Sequence, residues 1–242
     1  MNNDLFVEFD NYVKKFDILD ENINLKYKHS YRVYEYAKDI SNSLKLSKND
    51  ITLAMKCGLL HDIGRFSQVA EFNTFIDSKS VDHGDRGYDV LLENNFINKF
   101  TIDDEEKSII LNSVKNHNKL VVDDNLSEKE KLFTNIVRDA DKIDIIMTQV
   151  NEINDEKYNN KLIDDILNRK LCNNSSVNTD VDSLLRLLSF IFDINYKRSI
   201  EILVDNNILE EKFKLLEHVV DKDTLKSIKD EINIYIKERL EC

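Results

Sequence analysis

The stretch CGLLHDIGRF, residues 57–66, is an apolar run interrupted by a titratable pair, His61 and Asp62. A carboxylate among apolar neighbours is costly to bury unless positive charge compensates it. The pair therefore either faces solvent at a helix end or is held by a cation. Outward from it, apolar residues recur at helical spacing. Upstream, Ile51, Ala54, Met55 and Leu59 mark one face of a helix that opens at SKND (47–50), where Ser47 and Asp50 resemble a capping arrangement. The helix is predicted to finish near His61 and Asp62, with Gly64 in the position just past its end. Residues 65–82 read as an irregular connection.

The same periodicity covers most of the chain. Leu5, Phe6, Phe9, Val13 and Phe16 predict a helix over 5–16, and Tyr27, Tyr31, Tyr34, Ala37 and Ile40 predict one over about 25–45. Helices are predicted again at about 84–97 and 102–117. SEKE at 127–130 is a full capping box, opening a helix through Leu132, Ile136, Val137, Ala140 and Ile143. Beyond about 155, three or four more helices are predicted, one of them strongly apolar over about 181–205. The polar stretch LCNNSSVNTD (171–180) reads as a loop or hinge. Proline is absent from the 242 residues and glycine occurs four times, too few turn formers for a sheet protein of this size. The fold class is all-α.

Composition narrows the function. A net charge of −12 argues against a nucleic-acid polymer, which needs a basic face, so any anionic substrate must be attracted locally. No run approaches the ~20 apolar residues of a membrane span, and the acidic start MNNDLFVEFD is unlike a signal peptide. Cys57, Cys172 and Cys242 are odd in number and far apart, which suits a reduced, cytoplasmic chain without disulfides. Self-association is left open. All four glycines (Gly58, Gly64, Gly84, Gly87) fall around the His-Asp pair, where close backbone approach is therefore expected.

Of the five histidines, no two stand three or four apart, so no single helix chelates through two of them. A site would have to be assembled across helices. His29, His61, His83 and His117 fall on predicted helices or at their ends, and Asp141 and Asp144 share one face of the RDADKID helix. Any one of these alone has an ordinary reading, and His218, near a predicted helix C-terminus, keeps it.

Taken together, His29, the doublet His61-Asp62, His83, His117 and Asp141 resemble the HD-domain superfamily of metal-dependent phosphohydrolases. The string LLHDIGRF…TFIDSKSVDHG is similar to one largely uncharacterised bacterial branch of it, and the similarity covers about residues 25–205. The resemblance implies an HD-type helical bundle, with a core over about 25–150 and a C-terminal helical extension over about 155–242 within one domain. It implies that His29, His61, Asp62 and Asp141 hold a first divalent metal, and that Asp62 bridges to a second held by His83 and His117. One or two ions fit, with Mn, Fe, Mg, Ni, Co and Zn all compatible. The metal would also explain how Asp62 is tolerated in its apolar run. The sequence departs from two branches: GRF replaces the Glu-Asp that follows the doublet in stringent-response hydrolases, and the Gly/Pro/His signature of deoxynucleotide triphosphohydrolases is missing. The implied activity is hydrolysis of a small phosphate ester, a nucleotide being favoured. Asp144 is the candidate for orienting or deprotonating the attacking water, and Arg65 and Lys142 are the candidates for binding phosphate. A di-iron oxygenase on the same scaffold and a non-catalytic regulatory module are the rivals. The 65–82 segment, with Arg65, Lys79 and Arg86 nearby as local positive charge, is expected to wall the substrate pocket; packing by Phe66, Phe72 and Phe75 is the alternative.

Overall fold

The computed structural model describes residues 2–101 and 103–241, so Cys242 lies outside the described residues. Among them there is no strand, and the fold is all-α. Among the described residues, no helix is long and apolar enough to cross a membrane. The chain divides into two compact units, residues 1–141 and 142–242.

The first unit is built from α1 (Asn2–Val13), α2 (Glu21–Ser43), α3 (Lys48–Leu60), α4 (Ile63–Phe72), α5 (His83–Leu92), α6 (Asp104–Asn116) and most of α7 (Glu128–Thr148). Most of these helices start on a side-chain cap. Asp20, Ser47, Asp82 and Asp103 each accept from backbone N–H groups in the first turn of the helix that follows. Ser127 and Glu130 close the capping box in both directions: Ser127 N donates to Glu130 Oε2 at 2.9 Å and Glu130 N to Ser127 Oγ at 3.3 Å. Each such cap is worth about 0.5–2 kcal/mol.

Apolar faces and glycines set the packing. α1 lies on an aromatic cluster in which the Phe9 ring meets Phe66 of α4 at 6.0 Å and Tyr27 of α2 at 6.2 Å. Gly58 lets α3 approach α2 closely: a Cβ there would sit 3.0 Å from Val33 O. Gly64 does the same between α4 and α5, where a Cβ would stand 2.5 Å from both Gly87 N and His83 O.

Several expectations are corrected here. Residues 65–72 are not irregular but belong to α4, which buries Ile63, Phe66, Ser67, Gln68 and Val69, around most of its circumference. Gly64 is not the residue past a helix end; it lies in the first turn of α4 and serves contact with α5. None of the glycines has positive φ, and the left-handed positions fall instead to residues such as Lys45, Asn73 and Asn94. Asn73 ends α4 at φ 50°. The helix expected over 84–97 stops at Leu92, where a 3₁₀ segment Glu93–Lys99 follows with Asn94 and Asn95 at positive φ.

The second unit contains α8 (Asn160–Leu167), α9 (Asp180–Ser189), α10 (Lys197–Asp205), α11 (Ile208–Leu216) and α12 (Lys222–Glu241). Among the described residues, five α-helices therefore follow residue 155, more than expected. The single apolar helix predicted over 181–205 is two, because the chain turns extended at Ile194 and Tyr196 before α10 begins. The core includes Leu162, Ile166, Leu184, Leu188, Leu203, Phe213, Ile228 and Ile232, all fully buried. The 171–180 stretch is irregular apart from a short 3₁₀ turn at Asn174–Ser176. Cys57 and Cys172 are buried free thiols.

Candidate metal centre

Helix ends deliver four of the six clustered side chains. His29 lies inside α2. His61 closes α3, and Asp62 stands at the N-cap of α4, so two adjacent residues belong to two different helices. His83 is the first residue of α5, His117 closes α6, and Asp141 lies within α7. The five other than Asp141 are no more than 6 % exposed. The Asp141 side chain keeps 17 %.

Six side chains from distant parts of the sequence converge. Nε2 of His29 lies 3.0 Å from Nε2 of His61 and 3.0 Å from Asp141 Oδ1. On the other side, Nε2 of His83 lies 3.1 Å from Nε2 of His117. Asp62 stands between the pairs. Its Oδ2 is 3.4 Å from His29 Nε2 and 3.5 Å from His61 Nε2, while its Oδ1 is 3.6 Å from His83 Nε2 and 3.5 Å from His117 Nε2.

The opposite ring nitrogens explain why the Nε2 atoms face inward. Nδ1 of His61 is 2.7 Å from the Gly58 carbonyl and Nδ1 of His117 is 2.7 Å from the Val114 carbonyl. Carbonyls only accept, so both Nδ1 atoms carry the proton and donate. Nδ1 of His83 meets the Asp77 carboxylate at 2.6 Å in the same sense. With Nδ1 committed to these acceptors, Nε2 is the nitrogen that each ring presents to the cluster, the arrangement by which a protein prepares imidazole for a metal.

Electrostatics agree. The carboxyls of Asp62 and Asp141 are held well below their usual range: burial works against this, but is outweighed by Lys26 and His61 for Asp62, and by His29 and His61 for Asp141. Burial lowers His61 too, yet Asp62 and Asp141 push it up to about 10. Burial pushes His117 down to about 4 and lowers His83, so both are neutral near pH 7. The His29–His61 side thus holds two carboxylates balanced by Lys26 and a protonated His61, whose Nε2 proton a bound ion would replace, and the other side holds uncharged imidazoles.

These residues fit a divalent ion. His83 and His117 are neutral with their protons on Nδ1, so two Nε2 lone pairs face each other 3.1 Å apart and repel unless a cation lies between them. Asp141 Oδ1 is buried without a hydrogen-bonding partner, beside two imidazole nitrogens. Ligand atoms of His29, His61 and Asp62, of His61, His117 and Asp141, and of Asp62, His83 and His117 form three sets, each within 4.8 Å. Imidazole and carboxylate donors suit Mn, Fe, Co, Ni and Zn alike.

Residues 27–146 match the family model described as HD domain. The chain is an HD-domain protein. No curated protein and no solved structure matches it. HD domains bind divalent metals and are commonly metal-dependent hydrolases, and the buried His/Asp cluster lies inside the matched segment.

Arg65 reaches the cluster: its Nη1 donates to Gln68 Oε1, Phe75 O and Asp77 Oδ1 at 2.7, 2.7 and 2.9 Å, and Nη2 is 3.3 Å from His83 Nε2. Its Nε, 3.6 Å from Asp62 Oδ1, is buried without a hydrogen-bonding partner. Lys142 is engaged by Asp193 at 2.9 Å, so the cation expected at phosphate already has a carboxylate. Asp144 is fully buried on α7. Arg86 donates to Ser67 and pairs with Glu71, and Lys79 is exposed. Phe66 is core, Phe72 is 43 % exposed, and Phe75 lies under the Arg65 guanidinium. His218 is exposed.

Two members of the site were missed. Lys26 Nζ donates to Asp62 Oδ2 at 2.6 Å; the available signal was its place one helical turn before His29. Asp77 fixes His83 and also accepts from Arg65 and Gln68. It follows α4 in a segment with no periodicity to read.

Proposed function

We propose that this HD-domain protein is a metal-dependent phosphohydrolase acting on a small phosphate ester, with a nucleotide as the favoured case. The observation that supports this best is the division of Asp62, whose two oxygens face separate histidine pairs. One carboxylate between two imidazole pairs suits a pair of ions a few ångströms apart, the geometry that serves in-line displacement at phosphorus. His29, His61, Asp141 and Asp62 Oδ2 would hold the first ion, and His83, His117 and Asp62 Oδ1 the second. Divalent ions bound there supply neutralisation of phosphoryl charge and acidify water near neutral pH.

The protein's own groups orient the rest. Arg65 is anchored on Asp77, Gln68 and the Phe75 carbonyl, which leaves its Nε as a donor for a phosphoryl oxygen. Asp144 is assigned the water on the ground of helical spacing from Asp141 alone. Its substrate would be a small molecule rather than a polymer, handled in the cytoplasm.

The test is a screen of the full chain, supplied in turn with Mn, Fe, Co, Ni, Zn and Mg, against nucleotides and simple aryl phosphates, with oxygen uptake followed in parallel. Metal-dependent phosphate release that chelator abolishes is the expected result. Oxygen uptake without phosphate release would refute the hydrolase in favour of a di-iron oxygenase. Bound metal with no turnover of any ester would favour a regulatory module.

A further inference from the structure

Lys26 enters the cluster from α2 and places Nζ 2.6 Å from Asp62 Oδ2, with its side chain only 10 % exposed. An ammonium carries three N–H donors. Among the described residues, Asp62 is the one hydrogen-bond acceptor that Nζ meets, and the Phe75 ring lies beside it, 5.5 Å to the centroid. Two donors are thus unspent in a place nearly closed to water. Arg65, on the Oδ1 side, differs in spreading its guanidinium over Gln68, Phe75 O and Asp77.

Oδ2 is also the oxygen turned towards His29 and His61. An ion held by those residues would share it with Lys26. Two positive charges on one buried carboxylate oxygen repel, and the repulsion is relieved when an anion bridges them. Phosphate can do so, taking up the unspent donors of Lys26 in charge-assisted hydrogen bonds.

We infer that Lys26 couples anion binding to metal binding: without an anion it weakens the first metal position, and with phosphate bound it becomes a direct donor to the phosphate. This rests on the metal reading above, and the experiment separates the two. Mn²⁺ is titrated calorimetrically into the full wild-type chain, Lys26→Met and Lys26→Arg, each with and without inorganic phosphate. Phosphate should tighten Mn²⁺ binding to the wild type by about tenfold or more, a coupling that is reciprocal between the two ligands. Lys26→Met should bind Mn²⁺ about tenfold more tightly than wild type in phosphate-free buffer, and phosphate should change that affinity by less than about threefold. Lys26→Arg should keep the coupling. If Lys26→Met loses its helical circular dichroism, Lys26→Gln serves for the same comparison. Weaker Mn²⁺ binding by a folded Met or Gln variant would overturn the inference and make Lys26 a positioning residue for Asp62. Undiminished coupling in that variant would overturn it as well. A wild-type chain that binds no Mn²⁺ would overturn the metal reading and this inference with it.

Discussion

Gly64→Ala tests how the second half of the cluster is held. The added Cβ would stand 2.5 Å from Gly87 N and 2.5 Å from His83 O, almost an ångström inside the 3.4 Å at which ordinary contact begins, and 2.9 Å from Gly87 Cα. All three atoms are backbone, so no side chain can rotate away and α5 must move as a body. Overpacking of this kind costs about 1–3 kcal/mol, and rigid neighbours put it at the upper end. Alanine returns about 1 kcal/mol through its better helix propensity. A net loss of about 2 kcal/mol follows, or about 4–8 °C in Tm for a chain of this size. His83 opens α5 and its carbonyl is one of the atoms struck, so the displacement is passed to the His83–His117–Asp62 Oδ1 set. His29, His61 and Asp141 lie on other helices. Thermal melts followed by circular dichroism, with metal content per chain by elemental analysis, should show a lower midpoint and a metal content falling towards one. An unchanged or raised midpoint with full metal content would refute the account of Gly64 as a contact glycine.

Other outcomes follow from the same geometry. Asp62→Ala should strip metal and abolish hydrolysis while the helical spectrum persists, though with about 3–5 kcal/mol lost because Lys26 is left buried and unpaired; retained metal would contradict the bridging role. Asp77→Asn should weaken the second ion by about 10–100-fold through loss of the His83 anchor, with the first ion unaffected, as read by stepwise metal titration. Glu130 is lowered from 4.5 to about 2, chiefly by the hydrogen bond from Ser108 and then by those from Ser127 and Asn112. A carboxyl whose pKa is lower folded than unfolded stabilises above the unfolded value and stops doing so as pH falls through the folded one. Acid unfolding of Glu130→Gln should therefore be less steep between pH 4.5 and 2 than that of the wild type, and identical profiles would count against the Glu130 network.

The sequence disclosed local features well and partnerships badly. Ser47 and Ser127 could be read as caps because cap and capped residue lie within one turn. The four histidines and two aspartates could be grouped because their order resembles a known pattern, and the structure brings those six together. Lys26 and Asp62 are 36 positions apart, and nothing local in either reveals that one neutralises the other. Likewise Lys142 carries no sign that Asp193 engages it. Gly64 misled because glycine after an apolar run usually marks a left-handed helix end, whereas here it marks contact with a neighbouring helix, and Asn73 takes the left-handed role. The apolar content of 181–205 concealed a break because burial and helix continuity are separate properties; Ile194 is buried where the chain is extended.

The placement of His61 and Asp62 on either side of a helix junction determines where this chain can change length. One residue inserted between them would turn α4 about 100° relative to α3 and carry Asp62 out from between the two histidine pairs. The other connections are more forgiving. His117 closes α6 and the chain then runs through ten residues, 118–127, before α7, so extra residues there need not disturb either ligand. Doubling a flexible loop costs only about 0.6 kcal/mol. Insertions and deletions among proteins of this build should therefore gather at connections such as 118–127 and avoid the 61–62 junction, where a single added residue would part His61 from Asp62.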